Sequence, residues 1–127
     1  AQGIALAEAC DYLDDIGMDR VRRHEEALAE YTYDRLEEFE NIEVYGPPGD
    51  DRGGLVAFNL GAVHAHDTSE ILNEFAVAVR AGDHCTQPLH DKLGTPASAR
   101  ASFYIYNTRE EVDALVDALG ETRDLFA

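Results

Sequence analysis

The chain has 127 residues, of which 45% are hydrophobic, so it is long and apolar enough for one domain with a real core and too short for several. It carries 26 acidic residues against 10 basic residues, which gives a formal net charge of −16. This charge repels phosphate backbones and anionic lipid, and it therefore excludes nucleic-acid binding and attachment to a membrane surface.

Two helices and a short strand are predicted in the first part of the chain. Apolar side chains recur at helical spacing over residues 3–16 and again over residues 19–39. Cys10 falls on the apolar stripe of the first helix, so we expect it to be a small buried hydrophobic residue. Residues 42–45 are predicted to form a strand, and the glycine- and proline-rich residues 46–50 a surface turn.

Strands and short helices alternate in the middle of the chain. Residues 54–60 form an apolar run typical of a central strand, and residues 67–75 begin with the spacing of a capping box and predict a short helix. Residues 76–80 are predicted to form the next strand. Residues 82–88 are predicted to form a loop, which leads into a helical turn around residues 89–93.

The last strand and the last helix complete the fold. Residues 99–106 read as a strand, and a second capping box at Thr108 precedes a helix with a buried apolar stripe. This order of elements predicts an α+β fold in a single domain, residues 1–127, with a mostly antiparallel sheet of three or four strands covered by helices.

The basic residues are unusual, because Lys92 is the one lysine beside nine arginines. The net charge exceeds the roughly 2–8 units that suffice for solubility, and we interpret it as adaptation to a salt-saturated cytoplasm, with an ordinary acidic protein as the alternative.

No apolar run reaches the roughly 18–20 residues of a membrane span and no signal region opens the chain, so a cytoplasmic location is expected. Helix-like sequence begins directly at Ala1, which suggests a chain cut from a longer one.

Residues 80–88 contain the candidate nucleophile. Cys85 lies in a glycine-containing loop, where its thiol should be exposed, next to His84 and near an arginine. Positive groups favour the thiolate, which is the nucleophilic form, although a chance surface thiol is the alternative. Arg100 lies within an apolar strand, where a buried arginine needs an anionic partner. That partner is either an acid of the chain or the carboxylate of a substrate.

Two motifs, at this separation and in this order, carry a family resemblance. The first is Arg80-Ala-Gly-Asp-His-Cys-Thr-Gln-Pro-Leu, and the second is Ala99-Arg-Ala-Ser-Phe-Tyr-Ile-Tyr-Asn-Thr, followed by an acidic helix start. Together with Gly61-Ala-Val-His-Ala-His-Asp and the opening pair of helices, they resemble the C-terminal domain of the SufS-type cysteine desulfurases over essentially the whole chain.

The resemblance implies a pyridoxal-phosphate enzyme of the aminotransferase class V type, in which a large domain binds the cofactor and this small domain supplies a sulfur-accepting cysteine. It implies that Cys85 attacks the sulfur of a cysteine substrate held on the cofactor, releasing alanine and leaving a persulfide. Arg100 matches the arginine that holds the substrate carboxylate, a bidentate task that suits arginine better than lysine. Arg80 matches a supporting arginine at the base of the loop, and His84 is assigned a supporting role.

The resemblance also implies partners. These are the chain's own N-terminal cofactor domain, a second copy in a homodimer, and a SufE- or SufU-like sulfur acceptor in iron–sulfur cluster assembly. The cofactor lysine belongs to the large domain, and Lys92 lies in the wrong motif. We therefore expect this chain alone to bind no pyridoxal phosphate and to leave cysteine unchanged. Asp83 stands where the family often has a histidine, and its carboxylate should disfavour the thiolate of Cys85.

Three alternatives stay open. Zinc could be bound by His64, His66, His84, Cys85 and His90, but their spacing fits no standard ligand pattern, so no metal is expected. His66 is expected to be a loop residue before a helix. A selenocysteine lyase of the same fold would carry a similar cysteine. A free-standing module that binds a sulfur carrier would need no cofactor domain upstream.

Overall fold

The computed structural model describes residues 1–48 and 51–126, so Gly49 and Asp50 of the expected turn lie outside the described residues. The elements in chain order are α1 (Gln2–Ile16), α2 (Met18–Glu37), β1 (Ile42–Tyr45), β2 (Leu55–Leu60), α3 (Ala65–Glu74), β3 (Arg80–Gly82), α4 (Gln87–Leu93), β4 (Ser98–Ser102) and α5 (Arg109–Leu125). The helices predicted at 3–16 and 19–39 and the strands predicted at 42–45 and 54–60 are confirmed.

The four strands form one antiparallel sheet in the order β1-β2-β4-β3, which confirms the predicted α+β class. In the register, Ala57 of β2 lies opposite Arg100 of β4. Arg80 of β3 lies opposite the same arginine from the other side. The strand that carries Arg100 is therefore internal to the sheet, and β3 is an edge strand.

One face of the sheet forms the core. Because side chains alternate along a strand, β2 turns Val56, Phe58 and Leu60 to the same side, and all three are buried. Helices α2 and α3 pack over this face, and α5 packs against both of them. Helix α4 instead lies over the opposite face, where His90 meets Ser98 of β4.

Four predicted boundaries were wrong. The third strand was expected at 76–80 but spans Arg80–Gly82, because residue 80 is the first to pair with β4. The last strand was expected to reach residue 106 and ends at Ser102, because the chain turns at 104–107. The helix expected at 67–75 is α3, which begins two residues earlier. The last two residues of the loop expected at 82–88 belong to α4.

Helix α1 contradicts the prediction made for Cys10. The helix has no buried residue, and the Cys10 side chain is exposed. Ile4 and Leu6 on the same helix are 79% and 67% exposed. The apolar spacing therefore identified the helix correctly, but its apolar side chains lie outside the core of this domain.

Helix α5 begins at the predicted capping box. The Thr108 side chain accepts from the N–H of Glu111, and the Glu111 carboxylate accepts from the N–H of Thr108. Further along, Tyr31 of α2 donates to Asp113 Oδ1 at 2.7 Å, and Arg35 bonds to the same carboxylate. These bonds join α2 to α5.

Within residues 1–48 and 51–126, no helix has both the length and the apolar character needed to cross a bilayer.

Candidate functional site

Cys85 lies in the loop between β3 and α4, and its side chain is exposed, as expected from the sequence. The carboxylate of Asp83 accepts from the backbone N–H of Cys85 at 3.0 Å. The backbone oxygen of Asp83 accepts from the N–H and the hydroxyl of Thr86, at 2.8 and 2.7 Å. Asp83 therefore shapes the turn that carries the cysteine, which is a structural reason for an aspartate at this position.

Two arginines meet beside this loop. Arg80 and Arg100 are directly opposite each other in the β3–β4 register, and cross-strand partners point to the same face of a sheet. Directly opposed like charges repel, so this arrangement is unfavourable without an anion. In the described part of the chain, no carboxylate forms an ion pair with either arginine.

Arg100 is not the fully buried residue that its apolar neighbours suggested. It is half-buried, and its Nε donates to Ser102 Oγ at 3.1 Å. The reason is that Ala99 and Ala101 face the helices, whereas Arg100 lies on the opposite face of β4, which is only partly covered. Its guanidinium is thus available to a planar anion such as a carboxylate.

His84 lies close to these arginines and is held as a neutral ring. Its Nε2 contacts the backbone oxygen of Ser98 at 3.0 Å and the Ser98 hydroxyl at 3.2 Å. Burial lowers the pKa of His84, and the positive charges of Arg100 and Arg80 lower it further, while the bond to the Ser98 backbone acts in the opposite direction. The positive charge near the loop is therefore that of the arginines rather than of the histidine.

The sequence analysis considered His90 only as a zinc ligand and did not single out Ser98. The two residues are 4% and 1% exposed and lie beneath the loop. His90 Nε2 is 3.0 Å from Ser98 Oγ, and His90 Nδ1 is 3.3 Å from both the backbone oxygen and the hydroxyl of Thr86. One signal could have indicated Ser98: it precedes Arg100 by two residues, and alternation along a strand places both on the same face.

A cavity of about 400 Å³ opens between α4, the sheet and the segment after β1. Its polar lining includes Arg100, His84, Thr86 and Ser98, while leucine side chains of α4 and β2 form apolar walls. Cys85 and Arg80 are not among the lining residues. The fold thus brings His84 and Arg100 to one cavity, with Cys85 on the exposed side of the loop that borders it.

The histidines at the start of α3 differ from expectation. His64 is the N-cap, and its Nδ1 accepts from the N–H of His66 at 3.2 Å, so His66 belongs to the first turn of the helix and is not a loop residue. The helix begins here rather than at Asp67 because His64 supplies the capping acceptor. Among the residues that the structure describes, no group of three or more His, Cys, Asp or Glu side chains could hold a metal ion.

Comparison with known families places the chain. The model of the aminotransferase class V family matches residues 1–115. The chain belongs to this family. Two similar proteins come from halophilic archaea. They are a cysteine desulfurase of Haloferax volcanii, 74% identical over all 127 residues, and a probable cysteine desulfurase of Halobacterium salinarum, 70% identical over the same length. The chain spans 30% and 31% of these two relatives.

Solved structures of the family show the same fold. The cysteine desulfurase CsdA of Escherichia coli, in its S-sulfonic acid form, aligns with a TM-score of 0.88 at 34% identity, covering 96% of this chain and 30% of that protein. The apo cysteine desulfurase of Thermococcus onnurineus aligns with a TM-score of 0.81 at 38% identity, covering 91% of this chain and 28% of that protein.

The described residues of this chain do not fit pyridoxal phosphate, the cofactor that cysteine desulfurases of this class imply. Enzymes hold this cofactor as a Schiff base with a lysine. Lys92, the one lysine in the chain, is exposed on α4 and is not among the residues lining the cavity of His84 and Arg100. This cavity therefore has no lysine for such a Schiff base.

Proposed function

We propose that this chain is the sulfur-accepting and carboxylate-binding part of a cysteine desulfurase, which converts L-cysteine to L-alanine and carries the sulfur as a persulfide. The observation that carries the proposal is the opposed pair Arg80 and Arg100, without a carboxylate partner in the described residues, beside a loop that exposes Cys85. The high identity to cysteine desulfurases of halophilic archaea supports it.

The arginine pair accounts for substrate binding. A carboxylate placed between the two guanidinium groups would relieve their mutual repulsion and receive charge-assisted hydrogen bonds. Arg100 is the better placed to give two parallel bonds, since it is half-buried and lines the cavity, where water competes less. Arg80 is exposed and supports the same charge from the edge strand.

Cys85 accounts for the acceptance of sulfur. Its thiolate forms an S–S bond with the sulfur of the substrate while the substrate C–S bond breaks, and the electron pair of that bond leaves with the carbon fragment, which takes up a proton and becomes alanine. The product on the enzyme is a persulfide, and exposure of the Cys85 side chain leaves it open to an acceptor protein. His84 supports the loop from its buried side.

The remaining machinery is proposed to lie outside this chain. The relatives are more than three times its length, so we place the lysine and the pyridoxal phosphate in an N-terminal part of a longer protein. That protein would be a cytoplasmic homodimer that passes sulfur to a SufE- or SufU-like acceptor for iron–sulfur cluster assembly. The charge of −16 supports a halophilic source.

The test uses the longer gene product, supplied with pyridoxal phosphate, and measures alanine formed from L-cysteine. Cys85→Ser should lower the rate by about 100-fold or more, because a hydroxyl cannot accept the sulfur. Arg100→Lys should raise KM for cysteine about tenfold, because an ammonium group cannot bind a carboxylate through two parallel bonds.

Two matched variants control this experiment. Cys10→Ser removes the other exposed thiol, and Arg23→Lys makes the same change at an exposed position on α2. Both should retain parent kinetics. Full alanine formation by Cys85→Ser would rule out the thiol as the sulfur acceptor. If Cys85→Ser loses alanine formation from cysteine but keeps it from selenocysteine, the result would support the desulfurase assignment, since a selenium leaving group does not require the thiol.

A further inference from the structure

The residues on either side of Cys85 are linked by hydrogen bonds to one buried serine, Ser98. His84, which precedes the cysteine, contacts the backbone oxygen and the hydroxyl of Ser98 at 3.0 and 3.2 Å. Thr86, which follows it, is linked to His90, and His90 contacts the same Ser98 hydroxyl at 3.0 Å. The His90–Ser98 pair therefore fastens the loop to the internal strand β4 at two points.

One arrangement of protons, with a single hydrogen on each imidazole ring, satisfies all these contacts. A backbone oxygen can only accept, so His84 Nε2 carries a hydrogen and donates it to Ser98, and His90 Nδ1 carries a hydrogen and donates it toward the Thr86 oxygen. His90 Nε2 is then an acceptor and receives the hydroxyl hydrogen of Ser98. The lowered pKa of His84 agrees with the neutral ring that this arrangement gives it.

The loop needs such support because its backbone is strained. His84 and Cys85 are consecutive residues with φ of 53° and 61°. These angles lie in the left-handed region, which residues other than glycine rarely adopt. A strained conformation of this kind persists only where its surroundings hold it in place. The bonds to Ser98 and His90, together with the turn at Asp83, provide that restraint on both sides of the cysteine.

We propose that His90 and Ser98 are positioning residues for Cys85. They hold the strained loop so that the thiol is presented to solvent at one fixed place, and they thereby set the rate at which the thiol reacts. Their proposed effect on the reaction passes through the loop that carries Cys85. The role of the thiol as sulfur acceptor rests on the proposed function, but the restraint of the loop does not.

The restraint is tested in the 127-residue chain with Cys10→Ser, so that Cys85 is the one thiol. Ser98→Ala and His90→Phe should each slow alkylation of Cys85 by iodoacetamide at least threefold and speed hydrogen exchange of the Cys85 and Thr86 amides at least tenfold. Ser98→Thr, which keeps the hydroxyl, should restore both values to within twofold of the parent.

Thr122→Val is the matched control, because it removes another buried hydroxyl, which donates to Ala118 on α5 far from the loop in sequence. It should lower stability without changing either reading at Cys85. If Ser98→Ala or His90→Phe does not fold, Thr86→Val takes its place, since it removes the hydroxyl that contacts His90 and keeps only the bond to the Thr86 backbone oxygen. Unchanged alkylation and exchange in the folded variants would overturn the proposal.

A kinetic arm separates this inference from the proposed function. In the longer gene product, Ser98→Ala should lower kcat for alanine formation at least tenfold and leave KM for cysteine within twofold, since the arginines still bind the carboxylate. Two results together would retain the positioning role and reject the sulfur-acceptor role. The first is slower alkylation and faster hydrogen exchange in the Ser98 and His90 variants of the 127-residue chain, and the second is a Cys85→Ser protein that remains active.

Discussion

At the scale of single residues, the site is a small positive region on a strongly acidic chain. Arg80 and Arg100 face each other, and none of the 26 acidic residues forms an ion pair with them in the described part of the chain. Three described acids instead form ion pairs with Arg22, Arg35 and Arg123. Folding thus leaves this positive charge available to an anion from outside, in agreement with the proposed carboxylate site.

The half-buried His84 should make the stability of the chain depend on pH. Its pKa in the folded state is lowered, first by burial, from an ordinary value of about 6.5. The unfolded chain therefore binds a proton at this histidine before the folded chain does. The contribution of His84 to the free energy of unfolding should be highest above about pH 6.5 and should fall as the pH decreases from there toward the lowered pKa.

The measurement is urea unfolding of the parent and of His84→Gln between about pH 8 and pH 5, with the difference taken at each pH so that the carboxylates cancel. The stability advantage of the parent should shrink as the pH falls. His66→Gln, on the exposed surface of α3, controls for the loss of a histidine as such. An advantage that stays constant or grows at low pH would show that His84 is not held neutral.

The sequence predicted the exposed thiol but not its support. A glycine-containing loop indicated exposure of Cys85, and the structure confirms it, since such a loop has little chance to be covered. The burial of Arg100 was misjudged because apolar neighbours show that a strand is internal but not which of its faces is covered. The contact of His90 with Ser98 exists only once α4 folds over β4, so no local pattern indicated it.

At the scale of elements, pairing and not composition decided where the strands begin. The alternating Ala76-Val-Ala-Val run has strand-like composition, yet Ala76 has a φ of 60° and the Val77 N–H donates back to Leu72 of α3. Helices were easier to predict, because their hydrogen bonds are local and a 3.6-residue period reports them directly. The capping box at Thr108 is such a case, since all its partners lie within three residues.

Helices α1 and α2 are both indicated by apolar spacing but should contribute differently to stability. Leu36 on α2 is completely buried and belongs to the core, whereas Leu6 on α1 is 67% exposed. Leu36→Ala should therefore lower the free energy of unfolding of this chain by about 2–5 kcal/mol through lost contacts and a cavity. Leu6→Ala should change it by no more than about 0.5 kcal/mol.

Urea unfolding of the two alanine variants checks this contrast, because both lose the same atoms from a helix and gain the same helix propensity. Equal losses would mean that α1 is packed against the domain in solution. In that case its apolar stripe would be part of the core, as the periodicity alone suggested.

At the scale of the whole molecule, the acidic residues are distributed so that they hydrate the surface without entering the core. Of the six buried polar or charged residues in the described chain, none is an aspartate or glutamate. Many of the acids lie on outer helix surfaces, among them Glu30 and Glu38 near α2, Glu74 on α3 and Asp117 on α5, all exposed. A net charge of −16 therefore acts mainly as self-repulsion across the surface.

Salt should relieve that repulsion and stabilise the fold. The screening length falls from about 10 Å at 0.1 M to about 3 Å at 1 M salt, so the free energy of unfolding should rise with KCl over this range by on the order of 1 kcal/mol and then level off. The matched variant replaces Glu30, Glu38 and Glu74 with glutamine and Asp117 with asparagine, which removes four exposed negative charges. It should be more stable than the parent at low salt and gain less from KCl, because less repulsion remains to be screened. Urea titrations of both proteins across the KCl series give the two slopes, and parallel slopes would show that salt acts through the apolar surface instead of through charge.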